Sequence, residues 1–359
     1  MPSVYWFNPE NDLALAADLA NYTPARAGLE LRRAGALLPT LWAGDDDEIL
    51  VIDKCDSPDA RVKHRAAASL KPTPWGWSSY AARIMERHGV ADVPSCRELE
   101  IMRLLSHRET AARVLEKIGY APELIPVTAY DTYEAYRAIG KFGNDAVVKL
   151  PWSCSGRGVF YTEGLDERTV SQRIEAMLRR QGSVTIEPRY DRKSDFAALF
   201  YLENGECRFI GISVFAADAV GRYAGNLIAP QAQLRVRLNV EIDDVVEKIR
   251  CVLSEVLEGY EGWAGVDMLS YTDAAGALSL APCIEVNLRM TMGVAALLAS
   301  ESGRIPWAES VLRVAMPGEM LDEECLTLSA LRPRPGKPLE SPCMIVERSE
   351  SAEKGVKQV

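Results

Sequence analysis

The sequence is poor in histidine, and its cysteines form no motif. Three histidines occur among 359 residues. This small number disfavours a His-rich metal centre and a Ser-His-Asp hydrolase. The eight cysteines are scattered, without a C-x-x-C pair or a histidine nearby in sequence. This arrangement disfavours structural zinc and favours free, buried thiols.

Long apolar runs and an excess of positive charge are also missing. The sequence has no run of about 18 apolar residues, so no transmembrane helix is predicted. The N-terminus MPSVYWFNPEND lacks the basic and apolar regions of an export signal, so we expect a cytosolic (cytoplasmic) protein. Lys and Arg number 41 against 51 Asp and Glu, for a formal net charge of −10, which disfavours broad binding to nucleic acid or to an anionic membrane.

The remaining composition is that of a globular protein. Hydrophobic residues make up 48% and charged residues 26% of the chain, which excludes wholesale disorder and a disulfide-dense mini-scaffold. A chain of this length is expected to form two or three domains.

The first 95 residues alternate strand and helix signals. Apolar runs predict strands at 3–7, 37–43 and 48–53, and a helix is predicted near 78–88. Strands mixed with helices in this way indicate a small α/β domain with a mostly parallel sheet.

A second α+β unit is expected from Ser95 to residue 186. Helices are predicted through RELEIMRLL, RETAARVLEKIG and residues 166–181. Strand-like segments lie between and after them, at 124–130, 146–150, 158–162 and 183–188.

Two hairpins dominate the rest of the chain. An N-G turn joins FAALFYLENGE to CRFIGISVFA, and TDAAG joins GWAGVDMLSY to ALSLAPCIEVNL, with a helix predicted over 242–258 between them. After about Arg332 we expect a surface strand and a frayed end. The predicted division is 1–95, 96–186, 187–332 and a tail over 333–359.

The first candidate site is the segment VVKLPWSCSGRGVFY, which places Lys149 at the end of a strand and before a loop of small residues. Backbone N–H groups and a cation in such a loop suit phosphate oxygens. A plain hairpin turn with a surface arginine is the alternative, and a Walker A motif is absent. The candidate residues of this loop are Ser153, Ser155, Gly156, Arg157 and Gly158.

The second candidate site is a pair of acids in the second hairpin. If that hairpin is symmetric about Gly276, Asp267 and Glu285 are direct cross-strand neighbours with Cβ atoms about 4.5–5.5 Å apart. Asn287 then projects to the same face. Two carboxylates and an amide oxygen suit Mg²⁺ or Mn²⁺, typically completed by phosphate oxygens. A solvent-facing hairpin with incidental acids is the alternative, but the apolar flanks WAGV and LAPCI argue for a buried sheet.

A third segment, TIEPRYDRKSDF, is weaker on its own. A predicted strand ends at Glu187 and Pro188 and is followed by a predicted polar loop. The backbone of such a hinge can face an adenine edge, and Asp195 is placed to reach a ribose hydroxyl.

In this order, the three segments resemble the ATP-grasp superfamily over residues 98–300. The most specific part, EVNLRMTMG, is similar to the E-x-N-x-R metal strand of carbamoyl-phosphate synthetase and biotin carboxylase. The resemblance implies an α/β and α+β architecture: an N-terminal Rossmann-like (pre-ATP-grasp) domain followed by a two-lobed ATP-grasp fold. Residues 106–123 look like the helix that opens the smaller lobe, with Arg108 where the family often has a phosphate-contacting lysine.

The resemblance implies ATP and Mg²⁺ (or Mn²⁺) as cofactors. The implied reaction is attack of a substrate carboxylate on the γ-phosphate, which gives an acyl phosphate and ADP, followed by displacement of phosphate by an amine or a thiol. The implied residues are Lys149 and the 153–158 loop for phosphates, Glu187 for adenine, Asp195 for ribose, and Asp267, Glu285 and Asn287 for metal.

Arg289 and Arg157 are the predicted catalytic cations. In the D-alanine–D-alanine ligase branch an arginine stands two residues before the metal-binding aspartate, but here that position is Gly265. Arg289, on the same face as Asn287, is the first choice for its role. Arg235, in the alternating run LRVRL, is a further candidate, with a solvated strand face as the alternative.

Substrate residues are predicted at two places. Asn8 and Asn11 follow the first strand, where ligands bind in open α/β sheets, and the adjacent acids Glu10 and Asp12 are candidates for holding an amine. A turn with a helix N-cap is the alternative. The segment GRYAGNLIAPQ contains the other two candidates, Arg222 and Asn226, for a carboxylate.

The predicted function is an ATP- and Mg²⁺-dependent ligase that joins a small-molecule carboxylate to an amine. We expect neither nucleic acid nor a membrane as a partner. A homodimer is the default expectation for the oligomeric state. A phosphotransferase or carboxylase-like enzyme and a non-catalytic nucleotide-binding regulatory protein are the alternatives.

Overall fold

The computed structural model describes residues 1–52, 59–153, 158–217 and 223–349. They form three sheets: a parallel sheet near the N-terminus, a four-stranded antiparallel sheet and an eight-stranded antiparallel sheet. This arrangement confirms the predicted α/β and α+β fold class.

The N-terminal sheet has the strand order β3-β2-β1-β4, and its strands are parallel as predicted. The prediction of a strand over 37–43 is wrong, because Leu38–Leu41 form a 3-10 helix. Pro39 cannot donate to a strand ladder and suits the first turn of a helix. The elements are β1 (Ser3–Trp6), α1 (Asn11–Ala17), α2 (Arg26–Ala34), β2 (Glu48–Leu50), β3 (Val62–Lys63), β4 (Lys71–Pro74) and α3 (Ser79–Arg87).

The four-stranded antiparallel sheet has the order β5-β8-β6-β7. Its helix over Thr132–Lys141 has no counterpart among the predicted elements, whereas the other helices and strands lie close to the predicted positions. The elements are α4 (Cys96–Leu105), α5 (Glu109–Lys117), β5 (Val127–Ala129), α6 (Thr132–Lys141), β6 (Ala146–Lys149), β7 (Val159–Tyr161), α7 (Glu167–Gln181) and β8 (Val184–Pro188).

The eight-stranded sheet has the order β13-β12-β9-β10-β11-β14-β16-β15. Asn204 and Gly205 both have positive φ and form the tight turn of the predicted N-G hairpin. The elements are β9 (Asp191–Glu203), β10 (Glu206–Ala217), β11 (Tyr223–Ile228), α8 (Gln231–Val236), α9 (Asp243–Val256), β12 (Gly262–Thr272), β13 (Leu278–Asn287), α10 (Met292–Glu301), β14 (Ser310–Ala315), β15 (Leu326–Thr327) and β16 (Cys343–Arg348).

The eight-stranded sheet is covered on both faces, which explains its nearly continuous apolar strands. Along β9, Phe196, Ala198 and Phe200 pack into the core that contains α9 and α5. Ala197 and Leu199 pack into the core that contains α10. Helix α5 therefore packs on this sheet, and the predicted domain limits stay a prediction.

The C-terminal strand is not the surface strand predicted after Arg332. Strand β16 pairs with both β14 and β15, and its first four residues, Cys343 to Val346, are buried. Their apolar side chains extend the core of the sheet. Residues 350–359, and with them part of the predicted frayed end, lie outside the described residues.

The described cysteines are free thiols, as predicted, but the prediction that they are buried holds for only some of them. Cys207, Cys283 and Cys343 are buried, while Cys96 and Cys251 are exposed. Within the parts of the chain that the structure describes, no helix is long and apolar enough to cross a membrane. A cytosolic location stays a prediction.

Candidate active site

The two predicted metal-binding acids are direct neighbours on the edge pair of the eight-stranded sheet. Asp267 of β12 pairs with Glu285 of β13, so the predicted opposition is confirmed. The assumption of an even hairpin is wrong, because near the turn Tyr271 pairs with Ser279 instead of Ala281. A bulge in the pairing between positions 267 and 269 restores the register at the acids.

A hydrogen-bonded chain of side chains leads from this acid pair to the N-terminal domain. The Asn287 amide Nδ2 donates to Asp267 Oδ2 at 3.1 Å, and its Oδ1 accepts from Arg289 at 3.1 Å. Arg289 in turn donates to both carboxylate oxygens of Asp12, at 2.8 and 2.7 Å. Asp12 lies in the first turn of α1, so the metal strand and the N-terminal domain share one polar network.

Arg108 connects the acid pair to the four-stranded sheet. Its guanidinium lies 3.0 Å from Glu285 Oε2. It also donates to the Leu150 carbonyl at 3.0 Å and to Ser153 Oγ at 3.1 Å. Arg108 is buried. Its guanidinium neutralises Glu285 and binds Ser153 at the start of the candidate phosphate loop.

Lys149 and Glu187 form a buried ion pair on the four-stranded sheet. They lie on the neighbouring strands β6 and β8, where Lys149 pairs with Thr185 and Glu187 pairs with Val147. This register puts both side chains on one face of the sheet. Burial and the Arg108 guanidinium lower the pKa of Lys149, and the Glu285 carboxylate opposes this shift.

The two sheets present these charges to the same cleft. Asp267 and Glu285 raise the pKa of Lys149, while Arg108 and Arg192 lower it, so the lysine lies within electrostatic reach of the acid pair. Lys149 of the four-stranded sheet thus lies near the carboxylates of the eight-stranded sheet, an arrangement that suits a phosphate chain and a divalent cation between them.

The donor set at the acid pair fits a divalent cation. Burial and repulsion by Glu285 raise the pKa of Asp267 well above its ordinary value, although Arg289 and Asn287 oppose the shift. A bound cation would relieve this repulsion. The described residues contain no cluster of three or more His, Cys, Asp or Glu side chains suited to a metal, so the remaining ligands would come from Asn287 and from substrate oxygens.

The fold has clear counterparts among solved structures. No protein-family model matches the sequence, and no curated protein matches it. Biotin carboxylase from Campylobacter jejuni, solved as a β-γ-ATP complex, superimposes with a TM-score of 0.54 at 13% identity, over 96% of this chain and 87% of that one. Phosphoribosylamine–glycine ligase from Thermotoga maritima gives 0.52 at 15% identity, over 98% and 95%.

A third structure, N5-carboxyaminoimidazole synthetase from Staphylococcus aureus, gives a TM-score of 0.51 at 10% identity, over 98% of this chain and 96% of that one. The three enzymes match this chain over nearly its whole length. The chain has the ATP-grasp fold. At these identities the likeness establishes the fold, and the roles of residues are argued from the site itself.

Asp195 lies in a different setting from the predicted one. The sequence pattern placed it in a polar loop after Pro188, but β9 already begins at Asp191, and Asp195 pairs with Leu269 of β12. Its side chain forms an ion pair with Arg192. Asp195 therefore lies on the sheet face of Asp267, two residue pairs along.

The structure describes the two ends of the candidate phosphate loop. Gly158 has φ +76°, and a Cβ atom there would lie 2.6 Å from Leu150 Cδ1, so the position requires glycine. The Leu150 N–H donates to the Gly158 carbonyl at 2.9 Å and closes the base of the loop. Ser155, Gly156 and Arg157 lie outside the described residues.

The asparagines predicted to bind substrate are buried and contact other parts of the protein. Asn8 is fully buried and exchanges two hydrogen bonds with the backbone of Gly76, at 2.9 and 3.3 Å. Asn11 packs against the same glycine, where a Cβ atom would lie 2.4 Å from its amide. Asn226 is buried in β11 and donates to Ser213 Oγ at 2.8 Å.

The predicted strand around Arg235 is wrong, and the acids that follow β1 are engaged within the protein. Arg235 lies on helix α8 instead of a strand, pairs with Asp243 and stacks on Phe209. Glu10 forms an ion pair with Arg32, and Asp12 forms one with Arg289, so the charges of both acids are neutralised within the protein. Arg222 lies outside the described residues.

Asp12 is the contact that sequence reasoning missed, since 277 positions separate it from Arg289. Asp12→Asn should lower the free energy of unfolding by about 1–3 kcal/mol, the range for hydrogen bonds to charged groups. Asp18→Asn, just after the same helix, is the control, because its carboxylate is more exposed and lies 3.6 Å from Arg103. If the two variants unfold at the same urea concentration, the Asp12–Arg289 ion pair does not contribute to stability in the way expected here.

His107 is a second residue without a predicted role. It packs edge-on against Trp152, with ring centroids 5.0 Å apart, at the start of the phosphate loop. Its Nδ1 accepts from the Glu109 N–H at 3.0 Å, and its Nε2 lies 3.2 Å from Ser183 Oγ, which suits a neutral ring. Burial, with the charges of Arg103 and Arg108, lowers its pKa to about 4.

This shift predicts a loss of stability in mild acid. Between pH 6.5 and about 4 the unfolded chain binds a proton on His107 that the folded chain excludes, so the free energy of unfolding falls as the pH falls. From pH 7 to pH 5 the loss through this residue should be about 2 kcal/mol. Urea unfolding should show that the stability of His107→Gln does not fall in this way between pH 7 and pH 5. The control His64→Gln, at an exposed residue, should lose stability like the wild type.

Proposed function

We propose that this chain is an ATP- and Mg²⁺-dependent, ADP-forming ligase that activates a carboxylate as an acyl phosphate and joins it to an amine. The observation that carries the proposal is the cleft in which Lys149 of one sheet faces Asp267 and Glu285 of the other. The ATP-grasp fold supports it, as does the C–N ligase among the similar structures.

The proposed roles follow from position. Lys149 and Arg108 bind phosphate oxygens, and Asp267 and Glu285 hold Mg²⁺, with Asn287 as a third ligand if its amide turns toward the pair. When bound, the metal supplies charge neutralisation at the phosphates. Phosphoryl transfer needs positioning and charge neutralisation more than covalent help from the protein, which matches a site rich in cations.

Further roles are proposed for the nucleoside and for the reacting groups. Glu187 with its neighbouring backbone faces adenine, and Asp195 faces the ribose. Arg289, adjacent to Asn287, stabilises the charge that develops as the carboxylate oxygen bonds to the γ-phosphorus and the bond to ADP breaks. Arg157 is proposed to assist from the loop. The partners are then a small-molecule carboxylate and an amine.

An ADP-release assay tests this function. Purified protein with MgATP is mixed with pools of carboxylic acids, with and without pools of amines, and ADP is measured by a coupled enzyme assay. ADP release that requires both an acid and an amine supports the ligase. Release with bicarbonate alone would instead support a carboxylase-like enzyme, and tight ATP binding without ADP from any pool would support a regulatory nucleotide-binding protein.

A further inference from the structure

A large cleft with aromatic walls lies beside the proposed active site. Its volume is about 950 Å³, which lies within the range of small-molecule binding sites. Its walls include the half-buried rings of Tyr5, Trp42, Trp77, Tyr201 and Trp263. We call this cavity the aromatic cleft.

The rings belong to two opposing walls. Tyr5 and Trp42 of the N-terminal domain form an edge-to-face pair with centroids 6.1 Å apart. Tyr201 and Trp263 of the eight-stranded sheet form a second pair at 5.1 Å. Burial, Asp47 and Tyr201 raise the pKa of Tyr5, so the two walls lie close together. Rings on opposing walls suit a flat apolar group between them.

The aromatic cleft shares two lining residues, Leu288 and Arg289, with the cavity at the acid pair. Arg289 lines both this cleft and the narrow cavity that contains Glu285 and Asn287. Its guanidinium already holds the carboxylate of Asp12 in a bidentate manner, the geometry in which arginine recognises carboxylates. A ligand in the cleft therefore lies beside the arginine that holds the Asp12 carboxylate.

The N-terminal wall does not suit an added peptide strand. Strand β4 is the edge of its sheet, and Pro72 and Pro74 have no N–H to offer to a further strand. The acids of the sheet wall are also engaged, because Glu203 pairs with Arg208 and Glu261 accepts from the Asn204 N–H. The cleft offers ring stacking together with the basic side chains Lys71, Arg208 and Arg289 in its lining.

We propose that the aromatic cleft binds the acid substrate and that this substrate is a carboxylic acid with a large flat ring, either an aromatic amino acid or a free aromatic acid. The proposal rests on the proposed ligase function. The ring lies between the two aromatic walls. The carboxylate exchanges with Asp12 at Arg289, and one of its oxygens then attacks the γ-phosphorus of ATP as the bond to ADP breaks.

Calorimetric titration of the full chain without nucleotide tests the cleft separately from catalysis. The probes are tryptophan, phenylalanine, 4-aminobenzoate and nicotinate, with alanine and the amides of the same ring compounds as controls. We expect at least one ring acid to bind about tenfold more tightly than alanine and than its own amide, as for a hydrogen-bonded charge. Binding of none of the ring acids, or equal binding of acid and amide, would overturn the proposal.

Variants of each wall complete the test. Trp263→Leu and Trp42→Leu should each weaken ring-acid binding by about 3- to 10-fold, the size of an aromatic pair contribution. Trp307→Leu is the matched control, because Trp307 is half-buried outside the cleft, and it should leave binding unchanged. Equal affinity in all three folded variants would overturn the assignment of the cleft.

The outcomes separate this inference from the proposed function. Ring acids that bind but release no ADP with any amine would support the cleft and contradict the ligase. ADP release with aliphatic acids, in a protein that binds no ring acid, would support the ligase and overturn the cleft.

Discussion

Glu285→Gln should reduce Mg²⁺-dependent ADP formation by at least about 10²–10³-fold, because a metal ion supplies several kcal/mol of transition-state stabilisation. Asp267→Asn should have an effect of the same size. The first substitution keeps a side-chain oxygen that can accept from Arg108, and the second removes the repulsion that raises the pKa of Asp267. We therefore expect both variants to fold, with Asp267→Asn no less stable than the wild type.

The diagnostic result is a loss of activity without a loss of stability. Activity is measured by ADP release and stability by urea unfolding without nucleotide. Glu301→Gln, at the exposed end of α10, is the control and should change neither. A folded Glu285→Gln protein that forms ADP at a rate near that of the wild type would exclude the metal assignment.

The double substitution of Lys149→Met with Glu187→Gln should raise the dissociation constant of ATP by about 10- to 100-fold, because it removes a charge-assisted hydrogen bond to phosphate. Lys149→Met alone is a poor test. It would leave Glu187 as an unpaired buried charge, at a cost of about 3–5 kcal/mol in folding free energy. Replacing both partners with neutral side chains of similar size keeps the sheet intact.

An exposed ion pair provides the control for this double variant. Lys117 and Glu255 lie 2.6 Å apart on the surface, and Lys117→Met with Glu255→Gln removes the same charges there. We expect that control to bind ATP like the wild type. Should the Lys149 and Glu187 double variant fold and bind ATP within about twofold of the wild type, less than about 0.5 kcal/mol, Lys149 would have no role in nucleotide binding.

The acid pair was predictable from sequence because a hairpin fixes which residues face each other. The turn TDAAG and the apolar flanks were enough to place Asp267 opposite Glu285. The bulge was not predictable. Asp267 still lies opposite Glu285, because the bulge returns the pairing to the register that a hairpin symmetric about Gly276 would have. Local pairing is thus accessible to sequence reasoning even where its details are not.

Some missed elements had local signals. Asp131 caps α6 by accepting from the Glu134 N–H, and Glu134 accepts from the Tyr130 N–H, so D-T-Y-E marks a helix start. The start of β9 at Asp191 was harder to predict. The first residues of this strand are exposed and charged, which is also typical of a loop. Pro39 was a clear argument against a strand over 37–43.

The polar network around the acids had no signal in sequence. Arg289 meets Asp12 across 277 positions, and Arg108 meets Glu285 through the packing of α5 against β13. Such contacts depend on how separate elements pack, which neither periodicity nor spacing encodes. The same holds for Asn8, whose amide donates to the Gly76 carbonyl, and for Asn11, which packs against the same glycine.

The central claim is that the cleft between the two antiparallel sheets binds ATP with a divalent cation. Isothermal titration of the full chain with ATP, in Mg²⁺ and again in EDTA, tests it most directly. We predict one binding site per chain that is much weaker without Mg²⁺ and is weakened by Glu285→Gln in the presence of Mg²⁺. Binding that does not depend on Mg²⁺, or no binding of MgATP by the folded wild-type protein, would contradict the account.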